Sequence, residues 1–111
     1  MIDLPGRRGQ SHVDLLLLAA LDEGPKHGYA IARYLDEHSG GRFTIREGTL
    51  YPALHRLEGD GLVASEATTV SGRQRRVYTI SGDGAIALAD RRREWEHYAA
   101  GTTGVLGEAP P

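Results

Sequence analysis

Glu47-Gly48-Thr49-Leu50-Tyr51-Pro52-Ala53-Leu54-His55-Arg56-Leu57-Glu58-Gly59-Asp60-Gly61-Leu62 is the stretch whose periodicity decides the fold. At helical spacing Leu50, Leu54 and Leu57 fall within about 60° of one another, so they form one buried stripe. Gly59, Asp60 and Gly61 then end the helix. With the leucines inward, Gly48, Pro52 and His55 point directly outward, with Thr49 and Arg56 on one flank and Tyr51 on the other. This face combines small residues that permit close approach with hydroxyls, an imidazole and a guanidinium able to bond phosphates or base edges. Just upstream, Thr44 followed three residues later by Glu47 fits a capping box that would open the helix.

Two further helices precede this one. Val13 to Leu21 is nearly continuous apolar and helix-favouring, with Ser11 as its expected N-cap and Asp22-Glu23-Gly24-Pro25 as its stop. Its apolar character on all sides predicts a helix that is buried or shared with a partner. Ala30, Ile31, Tyr34, Leu35 and His38 recur on one face of the next helix, while Arg33, Asp36 and Glu37 turn away, and Gly40-Gly41 ends it. On the other side of the central stretch, Leu62 to Val70 and Val77 to Ile80 are β-like runs. They flank a polar turn, Ser71-Gly72-Arg73-Gln74-Arg75-Arg76, and predict a hairpin with three arginines at its tip. Ser81 caps a last helix, with Asp83 in its first turn, running past Trp95 and Tyr98 to Val105 and Leu106; Gly101 and Gly104 should weaken its final turns.

The order is helix, helix, helix, hairpin, helix in a chain of 111 residues, enough for one domain and too short for two separate cores. The expected fold class is mainly α with a small β-hairpin: a winged helix-turn-helix followed by a C-terminal dimerisation helix. Its parts are a flexible arm over 1–10, the DNA-binding domain over 11–80, the last helix over 81–107 and a tail over 108–111. In this architecture the third helix enters the major groove and the hairpin, or wing, reaches neighbouring backbone or minor groove. The net charge of −2 hides a division that suits this: between Arg42 and Ile80 six arginines face four acidic residues, so this segment is +2 and the rest of the chain −4.

Three motifs, Gly28-Tyr29, the Glu47–Leu62 stretch quoted above and Gly72-Arg73-Gln74-Arg75-Arg76-Val77-Tyr78-Thr79-Ile80-Ser81, resemble the PadR family of phenolic-acid-responsive regulators. The resemblance covers roughly residues 13–106. It implies a homodimeric repressor whose last helix packs against its partner, with Thr49, Tyr51 and Pro52 at the groove and the wing arginines on the DNA backbone. The short C-terminal part is similar to the subfamily with a single helix there. Val77 departs from the family in standing where an aromatic is frequent, and Gly101-Thr102-Thr103-Gly104 interrupts a helix that is usually stronger.

The expected DNA-binding residues are therefore Arg46, Thr49, Tyr51, Pro52, His55, Arg56, Arg73 and Arg75. The expected dimer interface holds Leu17, Leu88, Trp95, Val105 and Leu106, because a long helix whose apolar face a small monomer cannot cover seeks a second copy. A twofold dimer would read a pseudo-palindromic operator with half-sites about 34 Å apart. Some similar regulators hold flat aromatic compounds against an interface tryptophan, so Trp95 is the candidate contact for a small aromatic effector.

Other classes lack their residues. The chain has no cysteine, which excludes disulfides, thiolate metal sites and thiol nucleophiles and is compatible with the cytoplasm. The five histidines (12, 27, 38, 55, 97) are dispersed, and no Gly-x-Ser-x-Gly, His-Glu-x-x-His or phosphate-loop motif is present, so no catalysis and no cofactor are expected. Asp36, His38 and His97 lack the clustering of a metal sensor, so no metal site is expected. The longest apolar run, Leu15 to Leu21, is far below the roughly 20 residues of a membrane span. The remaining alternative is a winged helix used to bind another protein, which has no need of an outward basic wing.

Overall fold

The computed structural model describes residues 8–107, with side chains from His12 onward. Its elements are α1 (Arg8–Glu23), β1 (Lys26–His27), α2 (Gly28–His38), α3 (Glu47–Gly59), β2 (Val63–Val70), β3 (Arg73–Ile80) and α4 (Gly82–Leu106). The architecture is mainly helical, with one small antiparallel sheet in the order β1-β3-β2. α1 begins three residues before Ser11, so that serine lies inside the helix rather than capping it, and residues 8–10 of the expected arm are already helical. Residues 1–7 and the expected tail at 108–111 lie outside the described residues.

The core forms where α1 and α3 meet. Leu17, Leu18, Leu21, Ile31, Leu54 and Leu57 are fully buried, joined by Leu35, Leu50, Ala53, Val63, Tyr78 and Leu88. The leucine stripe of α3 thus faces inward as its spacing predicts, and each such side chain contributes roughly 1.5–3 kcal/mol. Two residues expected at the dimer interface lie in the core instead. Leu17 is 0% exposed and Leu88 4% within a single chain, so neither has apolar surface left to offer a partner.

α3 has no capping box. Its N-cap is Arg46, which makes no side-chain cap bond, and the Thr44 hydroxyl instead donates to Asp36 Oδ1 at 3.5 Å. A local sequence signature lost here to a contact with α2 eight residues back, which no short-range pattern encodes. The expected cap of α4 does form: Ser81 Oγ accepts from the Gly84 N–H at 3.0 Å and donates to the Gly61 carbonyl at 2.7 Å. α4 runs unbroken through Gly101 and Gly104 to Gly107, whose φ of 75° ends it.

The hairpin is longer and its turn tighter than the sequence suggests. Ser71 and Gly72 alone make the turn, with φ of 52° and 77°, and Val70 pairs with Arg73. Two successive positive φ values give the mirror-image turn whose twist matches that of the flanking strands. Arg73, Arg75 and Arg76 are therefore strand residues and not a loop tip. β1 escaped the sequence reading because it is only Lys26 and His27, pairing with Tyr78 and Val77 of β3. Lys26 is fixed by the Ala20 carbonyl at 2.8 Å, by Glu23 and by the Tyr34 ring 4.6 Å away, which ties the end of α1 to α2.

Gly84 lies directly against the carbonyl of Leu62. A Cβ there would come within 2.0 Å of that oxygen, which is itself held by the Ser81 N–H at 3.0 Å. Gly84→Ala is expected to cost about 3 kcal/mol or more, read as a lower urea midpoint at unchanged slope.

His27 caps α2 by accepting from the Ala30 N–H at 3.3 Å. Burial, and secondly the charge of Arg75, hold its pKa below the ordinary 6.5. The folded protein therefore binds this proton less readily than the unfolded chain, so the stabilisation is complete above pH 6.5 and is lost as the pH falls through the depressed value. His27→Asn, which can cap without titrating, is expected to flatten that part of the stability profile when urea unfolding is followed from pH 7.5 to 5.

Candidate nucleic-acid interface

The roll of α3 about its axis is set by its buried leucines, and the opposite face is left in solvent. Thr49, Tyr51, Pro52 and His55 are all exposed on it, and Arg46 is exposed at its N-terminal edge. Pro52 sits inside the helix at its sixth residue, and Gly48 has open space beside its Cα. These features give the first turns of α3 a low profile on the outward side.

Tyr51 is only 43% exposed, because its ring lies across Gly28 at the start of α2. A Cβ on residue 28 would come within 2.5 Å of the Tyr51 hydroxyl, so the glycine is what lets the ring lie there. The pairing of Gly28 with a later tyrosine is therefore one packing unit. Tyr29 next to it is 69% exposed, and its ring is stacked on that of His27 at 6.4 Å. Sequence pattern alone gives Tyr29 no role. The structure brings it beside the α3 face, and an exposed aromatic directly after the packing glycine was the signal available.

The wing joins the same surface through the sheet. His27 pairs with Val77, and strand alternation puts Arg73 and Arg75 on the same side of β3 as Val77. Both arginines are exposed, and Arg75 is close enough to His27 for its charge to shift that imidazole. Arg76 faces the other way, toward the body. It donates to Ser65 Oγ at 3.0 Å, and Ser65 donates in turn to Glu58 Oε2 of α3 at 2.7 Å. The same side of β3 buries Tyr78, whose phenol is held above its usual pKa, chiefly by burial and then by Glu58.

Arg56 is positioned differently from the rest of the expected set. Its Nη2 reaches Asp14 Oδ1 of α1 at 2.5 Å, and its side chain is partly covered. Its guanidinium is bound into the scaffold, away from the exposed face formed by Thr49, Tyr51, Pro52 and His55. Trp95, at 43% exposure, lies elsewhere, over the seam between α1 and α4. His12 is 5.3 Å from its ring and Tyr98 5.7 Å, while Phe43 lies 5.6 Å from His12. Val105 and Leu106 at the end of α4 are 88% and 77% exposed. Among the described residues no helix is long and apolar enough to cross a membrane.

Known proteins share both sequence and overall fold with this chain. The chain is 41% identical over 87 residues to a transcriptional regulator of Mycobacterium tuberculosis, covering 78% of each chain. A PadR family transcriptional regulator from Eggerthella lenta superposes with a TM-score of 0.77 at 32% identity, over 93% of this chain and 87% of that one. The Bacillus subtilis PadR, solved in complex with operator DNA, matches in fold with a TM-score of 0.66 at 22% identity, over 90% of this chain and 50% of that one. The transcriptional regulator PadR-like family matches residues 17–90, from the middle of α1 through the wing into α4. The sequence motifs, the winged-helix fold and these matches agree, and the chain belongs to the PadR-like family of transcriptional regulators, which are not enzymes.

Proposed function

We propose that the protein acts in the cytoplasm, at the nucleoid, as a homodimeric repressor that binds a pseudo-palindromic operator and is released by a small aromatic effector. The observation that carries this reading is the continuous surface made by Thr49, Tyr51, Pro52 and His55 of α3 with Arg73 and Arg75 of β3, joined through His27 and Gly28. α3 supplies groups of a size and polarity suited to base edges in the major groove, Arg46 at its start is exposed and free to meet a phosphate, and the two wing arginines supply positive charge for the phosphates. The likeness in fold to a PadR solved on operator DNA supports the same mode of use. Arg56, engaged with Asp14, enters this reading as a support of α3 and reaches DNA only if that pair opens.

Dimerisation is assigned to α4. It is 25 residues long, about 37 Å, yet only Gly84 and Leu88 near its start are buried, so Trp95, Val105 and Leu106 remain for a second copy. Trp95 also offers an indole face beside Tyr98 and His12, the kind of surface on which a flat aromatic effector stacks.

Selection from a random duplex pool with purified protein tests the whole reading. The expected product is an inverted repeat with half-sites about one helical turn apart, bound with a salt slope of about −5 to −7 from six to eight phosphate contacts at roughly −0.9 each. No enrichment by folded dimer would favour a winged helix that binds another protein. Replacing Arg73 and Arg75 together with Ala is expected to weaken operator and random DNA alike, by about tenfold, and to flatten the slope by about one unit per arginine lost. Measured by fluorescence anisotropy, an unchanged slope would remove the wing from the mechanism. Quenching of Trp95, the sole tryptophan, by flat aromatic compounds that also release the operator would identify the effector class.

A further inference from the structure

Asp14 is the one buried charged residue among the described residues, and it stands where three helices meet. Its Oδ1 takes Arg56 Nη2 of α3 at 2.5 Å, while its Oδ2 faces Arg91 Nη1 of α4 at 3.5 Å. The two arms are unequal. The Arg56 arm is a short charge-assisted hydrogen bond. On the Arg91 arm the Nη1 atom is buried with no hydrogen-bond partner and is held by charge alone. Without the carboxylate, two guanidiniums from different helices would converge on one small site with nothing between them. Apolar packing fixes the depth of α3 through Leu54 and Leu57. Such contacts are non-directional, so they constrain tilt and sliding against α4 less than a shared acceptor does.

We infer that Asp14 is a positioning residue that sets the recognition helix α3 against the C-terminal helix α4 by holding Arg56 and Arg91 on one carboxylate. The inference rests on the reading above, in which α3 meets DNA and α4 meets the second copy. In that dimer the α3–α4 geometry fixes the distance between the two recognition helices, and hence the half-site spacing the protein prefers. Asp14 touches neither DNA nor partner. Its effect is on discrimination between spacings, and the phosphate attraction due to Arg73 and Arg75 is untouched by it.

The test uses the whole chain, which has no cysteine of its own, so spin labels can be carried uniquely by Gly48→Cys on α3 and His97→Cys on α4, both exposed. Doubly labelled protein diluted into unlabelled protein gives the intrachain distance distribution by pulsed electron resonance. The background is compared with Asp14→Asn, nearly the same shape without the charge, and with Arg91→Met, which leaves the Arg56 pair intact. Both variants are expected to broaden that distribution while keeping the far-ultraviolet spectrum of the parent. Unlabelled, both should lose at least about fivefold in affinity for the selected operator and discriminate less between operators whose half-sites are moved by one base pair, and Arg91→Met, which leaves Arg56 paired, should keep its affinity for random DNA. An unchanged distance distribution in both variants overturns the inference, as does an unchanged spacing preference. If Asp14→Asn fails to fold, Arg91→Met decides by the same criteria. If the distance broadens but even the parent selects no DNA sequence, the positioning role stands and the DNA reading is the one that fails.

Discussion

Leu54 and Leu57 lie fully buried in the same cluster as Leu17, Leu18 and Leu21, and this contact between α3 and α1 is the constraint on which the rest of the molecule depends. A helix with one apolar stripe has one way to roll against a core, so burying the leucines determines at once which residues are left outside. Gly48, Thr49, Pro52 and His55 are outward because Leu50, Leu54 and Leu57 are inward. The outward surface needs no separate organising force. It is the complement of the hydrophobic one.

From that roll the other parts take their places. α3 ends at the Gly59–Gly61 corner, where the positive φ of Gly61 and the hydrogen bond from the Leu62 N–H to the Leu57 carbonyl turn the chain into β2. Ser81 then bonds back to the carbonyls of Gly61 and Leu62, and Gly84 closes onto Leu62, so α4 starts from the point where α3 stops. The wing and α4 are thereby hung from the same corner at the end of α3. Arg91, Tyr98 and Ala99 are the last partly covered residues of α4, residues 100–106 of the helix are exposed throughout, and the molecule extends to 54 Å in its long direction against 23 Å in its short one. Such a shape leaves apolar residues such as Val105 and Leu106 without cover from their own chain.

Polar groups refine what the core begins. Strand alternation divides the three wing arginines: Arg76 is bound through Ser65 to Glu58, and Arg73 and Arg75 are turned out. Arg56 is likewise taken up by Asp14. Of the positive charges clustered between Arg42 and Ile80, part serves the scaffold and part is presented to solvent, and the division follows from which side of an element each residue occupies.

Elements with a purely local signal are legible in the chain alone. The 3.6-residue recurrence of Leu50, Leu54 and Leu57 fixed the inward face of α3, Ser81 fixed the start of α4, and the turn glycines fixed where helices stop. The family motif was equally legible, since it lies in one unbroken run of chain. The remaining features depend on residues distant in sequence. β1 is two polar residues that become a strand because Tyr78 and Val77 lie alongside them. Thr44 abandons its local capping role for Asp36, and Arg56 turns from a groove candidate into the partner of Asp14, 42 residues away. Leu17 and Leu88 could be assigned to a partner only while their own chain's packing was unknown. Periodicity says that a side chain is buried, but which surface buries it is a property of the folded whole.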